Sequence, residues 1–268
     1  MIWAGIRTVL GVTASVLVIL FCGSFAVTTI VEGDTSSSSA APAGGAEWED
    51  YPATAWNDAD AVLDDPGEEA TIAASDELMD DILAAVSAEF DIEWTSSEAS
   101  PPSTVDNGYG GASMLRTWRG ERWLGEIDGK DAGARERIQE IIERVGAEHG
   151  ADDFVLSNDR DESDSQLAED FGASDRDDQA YWQSVLSGGP HRTHEVFAEV
   201  FDSAYPTGPG YIGWTPRDSE GMPADPSTPT IRVSIVPSAY DLLPESDRAG
   251  YEERLEAYAG LEKPDGEF

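Results

Sequence analysis

The 268-residue chain carries 54 acidic against 16 basic side chains, a formal net charge of −38. Such a surplus repels phosphates over most of any surface, which excludes a nucleic-acid partner that needs a cationic stripe. Hydrophobic residues at 40 % and aromatics at 9 % exclude a wholly disordered chain, and the single cysteine, Cys22, excludes a disulfide framework or a thiolate zinc site.

The first element is apolar. No charged residue lies between Arg7 and Glu32, which leaves 24 uncharged positions at 8–31. At ~1.5 Å per residue a helix over that run reaches ~36 Å, enough for a hydrocarbon core of ~30 Å. Thr13, Ser15 and Ser24 within it can bond back to helix carbonyls, so they are tolerable in lipid. Residues 8–115 contain no Lys or Arg but 20 Asp and Glu, so the positive-inside rule puts the N-terminus in the cytoplasm and the rest outside a cell membrane. A cleavable signal has an apolar core of about 7–15 residues, shorter than this one, and the expectation is a retained single-pass anchor. Two other fates stay open: cleavage after the small-x-small pattern Ser24-Phe25-Ala26, and lipidation at Cys22, against which Phe21 counts.

Beyond the run, residues 32–268 hold 54 acids and 15 bases, a net −39. Residues 33–47 are Gly, Ser, Ala and Pro with little to bury, and 49–65 continue them as an acidic stretch. Both read as a flexible acidic linker over 32–65. Trp48, Tyr51 and Trp56 interrupt it, either as a docking motif or, more commonly, as rings lying against their own domain.

Asp65-Pro66-Gly67-Glu68 predicts a helix start with Asp65 as cap, followed by an apolar stripe at Ile72, Met79, Ile82, Leu83, Val86 and Phe90. A strand is expected over 91–95, a loop over 96–111, and strands over 112–118 and 123–127. A second helix runs from near Asp131, with Ile138, Ile141, Ile142 and Val145 on one face, to a stop at His149-Gly150. Phe154-Val155-Leu156 predicts a short strand, and 157–178 are polar. Ser174 and Asp177 predict a short helix through Tyr181, Trp182, Val185 and Leu186 to Gly188-Gly189-Pro190. Strands follow over 196–201 and 230–236, then a last helix over 242–261. Without regular βαβ alternation, the expected fold is α+β, an antiparallel sheet packed with two or three helices behind one N-terminal transmembrane helix. The expected plan is an anchor or signal at 1–31, the linker, an extracytoplasmic domain at 66–261 and a disordered tail at 262–268.

The order of these elements resembles the LppA-like lipoproteins and related envelope proteins of actinobacteria. The likeness lies in the membrane signal, the Trp-bearing strand Ile92-Glu93-Trp94, Trp118-Arg119-Gly120, the helix ending His149-Gly150-Ala151 and the closing strand Ile231 to Val236. It spans residues 68–240, and the arginine-heavy basic set (14 Arg, 2 Lys) suits a GC-rich genome. The chain departs at Phe21 before the cysteine and at Val236-Pro237-Ser238, which lacks one. The resemblance implies an envelope-anchored domain of unknown activity and brings no catalytic residue.

Catalytic and metal motifs are weak. His191-Arg192-Thr193-His194-Glu195 has neither the spacing nor the order of a zincin helix. The stretch from Asp159 starts like a calcium loop but has Asp164 where glycine is needed and Asp170 where glutamate is needed. Asn107-Gly108-Tyr109-Gly110-Gly111 lacks the lysine and following helix of a phosphate loop and predicts a hairpin turn. No Gly-x-Ser-x-Gly elbow occurs. The expectation is no catalytic, cofactor or metal residue: a tethered binding or structural module with the lipid bilayer and an envelope protein as partners. Trp118, Trp123, Tyr211 and Trp214 are its candidate contact residues. The alternative is an envelope hydrolase with an unrecognised site.

Overall fold

The computed structural model describes residues 47–129, 131, 133–159, 163–171, 173–189, 194–205 and 230–264. The anchor run, Cys22 and the first part of the linker lie outside them. No helix among the described residues is long and apolar enough to cross a membrane.

The fold is α+β, with one antiparallel sheet. Its strands are β1 (Trp94–Ser96), β2 (Ser103–Asp106), β3 (Ala112–Arg119), β4 (Trp123–Asp128), β5 (Asp153–Leu156), β6 (Tyr181–Gly188), β7 (His194–Asp202) and β8 (Thr230–Leu242). The helices are α1 (Ala61–Asp64), α2 (Glu68–Glu89), α3 (Ala134–Glu148), α4 (Asp164–Phe171) and α5 (Arg248–Glu256).

The 13-residue β8 is the spine of the sheet. Its run of β-branched residues suits a strand buried on both faces. Along one edge it pairs with β7, from Asp202 opposite Ile231 to His194 opposite Ala239. Its other edge is shared: β4 takes Thr230 to Ile235, and β3 takes Ser238 to Leu242. Pro237 stands at that handover. Its carbonyl accepts from Gly120 N at 2.9 Å on the shared edge, so the N–H that proline lacks falls in the gap between partners. The order across the sheet is β1-β4-β8-β7-β6-β5, with β3 joined to β8 and β2 to β3.

Alternation sends Ile231, Val233 and Ile235 of β8, Val196, Ala198 and Val200 of β7, and Trp182 and Leu186 of β6 to one face. Helices α2 and α3 cover it with Leu78, Ile82 and Val86, and with Ile138, Ile142 and Val145. Helix α3 ends as the sequence predicts, at Gly150 in the left-handed region (φ 76°). On the opposite face α4 packs Leu167 and Phe171 over Tyr181.

Several expectations need correction. Residues 181–188 form a strand, not a helix. Tyr181, Trp182, Val185 and Leu186 fit helical spacing, but β5 and β7 pair with both edges of the segment, and those ladders decide its conformation. The 96–111 loop contains β2, and α4 was not predicted. Helix α2 begins behind an extended Gly67, and Asp65 does not cap it. Instead the Asp65 carbonyl accepts from Arg248 Nη2 at 2.9 Å. The last helix is confined to 248–256, because β8 continues to Leu242 and Pro244 follows.

The linker boundary also moves. Residues 47–65 belong to the globule: Trp48, Tyr51, Ala53, Ala59 and Val62 are buried with Leu115, Leu243, Tyr251 and Tyr258 in a second core. Lys263 and Pro264, placed in the expected tail, make contacts with it.

Candidate functional site: an aromatic cleft with an acidic rim

Residues 48–50 form a single 3-10 turn that carries Trp48 and Tyr51 onto the β2–β3 hairpin. The anchor is Asn107 in that hairpin. Its Nδ2 lies 3.1, 2.9 and 3.1 Å from the carbonyl oxygens of Trp48, Glu49 and Tyr51, its two protons shared among them. Its Oδ1 accepts from Tyr109 N and Gly111 N, which closes the turn. Gly111 is required there by closeness: a Cβ would stand 1.8 Å from the Glu49 carbonyl oxygen.

Four rings meet in consequence. Trp48 lies 5.2, 5.1 and 5.1 Å, centroid to centroid, from Tyr51, Tyr109 and Tyr258, and Tyr51 lies 5.0 Å from Tyr258 edge-on. Edge-to-face geometry at these distances is the favoured arrangement of aromatic quadrupoles. Tyr258 Oη donates to Glu47 O at 2.6 Å and Tyr109 Oη to Pro264 O at 3.3 Å, so the chain's last described residues lie against its first.

Beside the rings is a cleft of about 510 Å³, within the range of small-molecule sites. Asp58 and Asp60 stand on one side and Glu252 and Glu256 of α5 on another. Lys263 reaches into it: Nζ lies 5.2 Å from the Tyr51 ring centroid and donates to Asn57 O at 2.9 Å. Lost hydration lowers the pKa of this ammonium, and Asp58 and Asp60 oppose that shift. The described lining thus brings ring faces, four carboxylates (Asp58, Asp60, Glu252 and Glu256) and one ammonium together, groups that attract positive charge.

Burial, then the neighbouring Tyr109, Asp60 and Asp58, push the Tyr51 phenol from its ordinary 10 up to about 12. The folded chain keeps this proton where the unfolded chain has lost it. Its stabilising contribution is full below pH 10 and is lost as pH rises through 12. Burial pushes Tyr251, whose Oη donates to Ala59 O at 3.0 Å, in the same direction. Stability measured by urea titration should therefore fall steadily between pH 10 and pH 12, and less steeply in Tyr51→Phe. Identical slopes in the two proteins would contradict this.

The structure separates the other candidates. His149 Nε2 meets Asp81 Oδ2 at 2.8 Å and joins the end of α3 to α2. His194 opens β7, its pKa pulled down by burial and by His149. Glu195 is its strand neighbour and so points to the opposite face, where Ser187 Oγ donates to it at 3.4 Å. His191 lies outside the described residues. Among the described residues no group of His, Cys, Asp and Glu could hold a metal ion. Asp164 and the residues after it form α4, so the second half of the would-be calcium loop is helical. Trp118 is buried against Ala239 and Leu242, and Trp123 packs half-buried on the main core. Trp118 is thus withdrawn from the surface, whereas Trp123 stays partly exposed. Tyr211 and Trp214 lie outside the described residues.

Sequence reasoning did not find the cleft. Its signal was faint: aromatic residues at 48, 51, 109 and 258 have no common period, and only the hairpin asparagine links the first three. Compared with protein-family models, curated proteins and solved structures, the chain matches none of them.

Proposed function

We propose that this chain is a membrane-tethered, non-catalytic binding module of the cell envelope, with the aromatic cleft as its contact region. Residues 8–31 hold it in the bilayer, with the N-terminus cytoplasmic and the acidic domain outside, and the resemblance to the LppA-like proteins supports an envelope-anchored domain. The carrying observation is the cleft itself: four packed rings, a carboxylate rim and an ammonium already seated on one ring. That set of groups can bind and orient a ligand that carries positive charge. The large negative charge keeps the domain soluble beside a membrane and off anionic polymers.

Fractionation tests the tether. The full chain should pellet with membranes and resist extraction by alkaline carbonate, while a variant lacking residues 8–31 should not pellet. Recovery of the full chain in the soluble fraction would overturn the reading.

A further inference from the structure

The geometry points to an organic ammonium ion as the ligand of the cleft, with Lys263 as a built-in competitor for the same place. This inference rests on the binding-module reading and narrows it to a ligand class. Three kinds of ammonium-stabilising group converge. The Tyr51 ring presents its face 5.2 Å from Lys263 Nζ, the Asn57 carbonyl accepts at 2.9 Å, and Asp58 and Asp60 add negative charge at the wall.

Lys263 is a stand-in that displays this chemistry, and it is one of only two lysines in the chain. It follows α5 by seven residues and is solvent-exposed, so it can leave without disturbing a core. The remaining carboxylates, Glu252 and Glu256 of α5, line the same cleft. A linear diammonium ligand would place one end where Lys263 sits and the other toward these two. A neutral ligand of the same length would forfeit the ring face and both acidic walls.

A tethered competitor acts at an effective concentration in the millimolar range, and it weakens the apparent affinity of any external cation. Removing it must therefore tighten binding.

The test is calorimetric titration of the full-length protein in nonionic detergent with 1,5-diaminopentane. Sodium chloride at equal ionic strength and uncharged 1-pentanol are the comparisons. Diaminopentane should give saturable heat, and pentanol none. Lys263→Met should tighten the dissociation constant by about three- to tenfold, and Asp58→Asn with Asp60→Asn should weaken it by at least tenfold. These three side chains are solvent-exposed, and unchanged circular dichroism would show the fold intact. Heat reproduced by sodium, binding unaffected by the double aspartate variant, or no gain in Lys263→Met would each overturn the assignment. Membrane pelleting does not depend on this ligand. A flat titration therefore removes the ammonium assignment alone, and a soluble chain that binds diaminopentane removes the envelope reading alone.

Discussion

Asn107→Ala should lower the unfolding free energy by about 3–5 kcal/mol, the sum of several net hydrogen bonds and the carbonyls left buried without donors. The residue is fully buried, and its amide is the partner of three carbonyls 56 to 59 residues earlier in the chain. Its oxygen also closes the Tyr109–Gly111 turn. Water cannot replace a side chain that reaches both segments. With the amide gone, Trp48 and Tyr51 lose their seat, and the four-ring cluster comes apart with them. Asn107→Asp should be no better, because it keeps the acceptor but sets a carboxylate against three carbonyl oxygens. Gly111→Ala should displace the same segment from the other side, since its methyl group meets backbone that must move. Urea unfolding followed by tryptophan fluorescence measures all three. A loss below about 1 kcal/mol in Asn107→Ala would show that the 48–51 turn is held by something else.

Arg135→Met carries the second large effect, again about 3–5 kcal/mol, the usual cost of removing one member of a buried charged pair. The guanidinium is buried between α3 and the β6 end of the sheet. It donates to Gln179 O and, at 3.0 Å, to Asp177 O, with Nε 4.0 Å from Asp202 Oδ2. Its carbon stands 4.6 Å from the Trp182 ring centroid and 4.2 Å from that of Tyr205. Methionine would preserve much of the volume but leave two carbonyls and the buried Asp202 carboxylate without their cation. Arg135→Lys should lose less than methionine, yet still a substantial part, because an ammonium cannot bond two carbonyls in one plane while lying flat on rings. Equal stability of the lysine and arginine proteins would contradict the planar role.

What the sequence disclosed follows the range of the forces involved. Strands β3, β4, β7 and the first half of β8 alternate over their own length, and α3 shows four apolar residues on one face and a glycine stop. Those signals are local, so a single segment displays them. The aromatic pair in β6 fitted helical spacing equally well, and only pairing with β5 and β7 decided between them. Residues 48–65 read as linker because their acids dominate the composition, while their burial comes from one asparagine more than fifty residues away. The cleft needed both chain ends together: Trp48 and Tyr51 from one, Tyr258 and Lys263 from the other. No local pattern records such a meeting. His194 and Glu195 face opposite ways because they are neighbours on a strand, a placement that follows from local alternation alone.

Sidedness is measured most directly by cysteine labelling at Val155. This residue lies on the edge strand β5, is 51 % exposed and is far in sequence from the one native cysteine, Cys22. Intact cells producing Val155→Cys are treated with a membrane-impermeant maleimide, with the native chain as blank. A domain outside the membrane is labelled as fully before lysis as after it. Labelling that appears only once the cells are broken would place the domain on the cytoplasmic side and contradict the proposed envelope role.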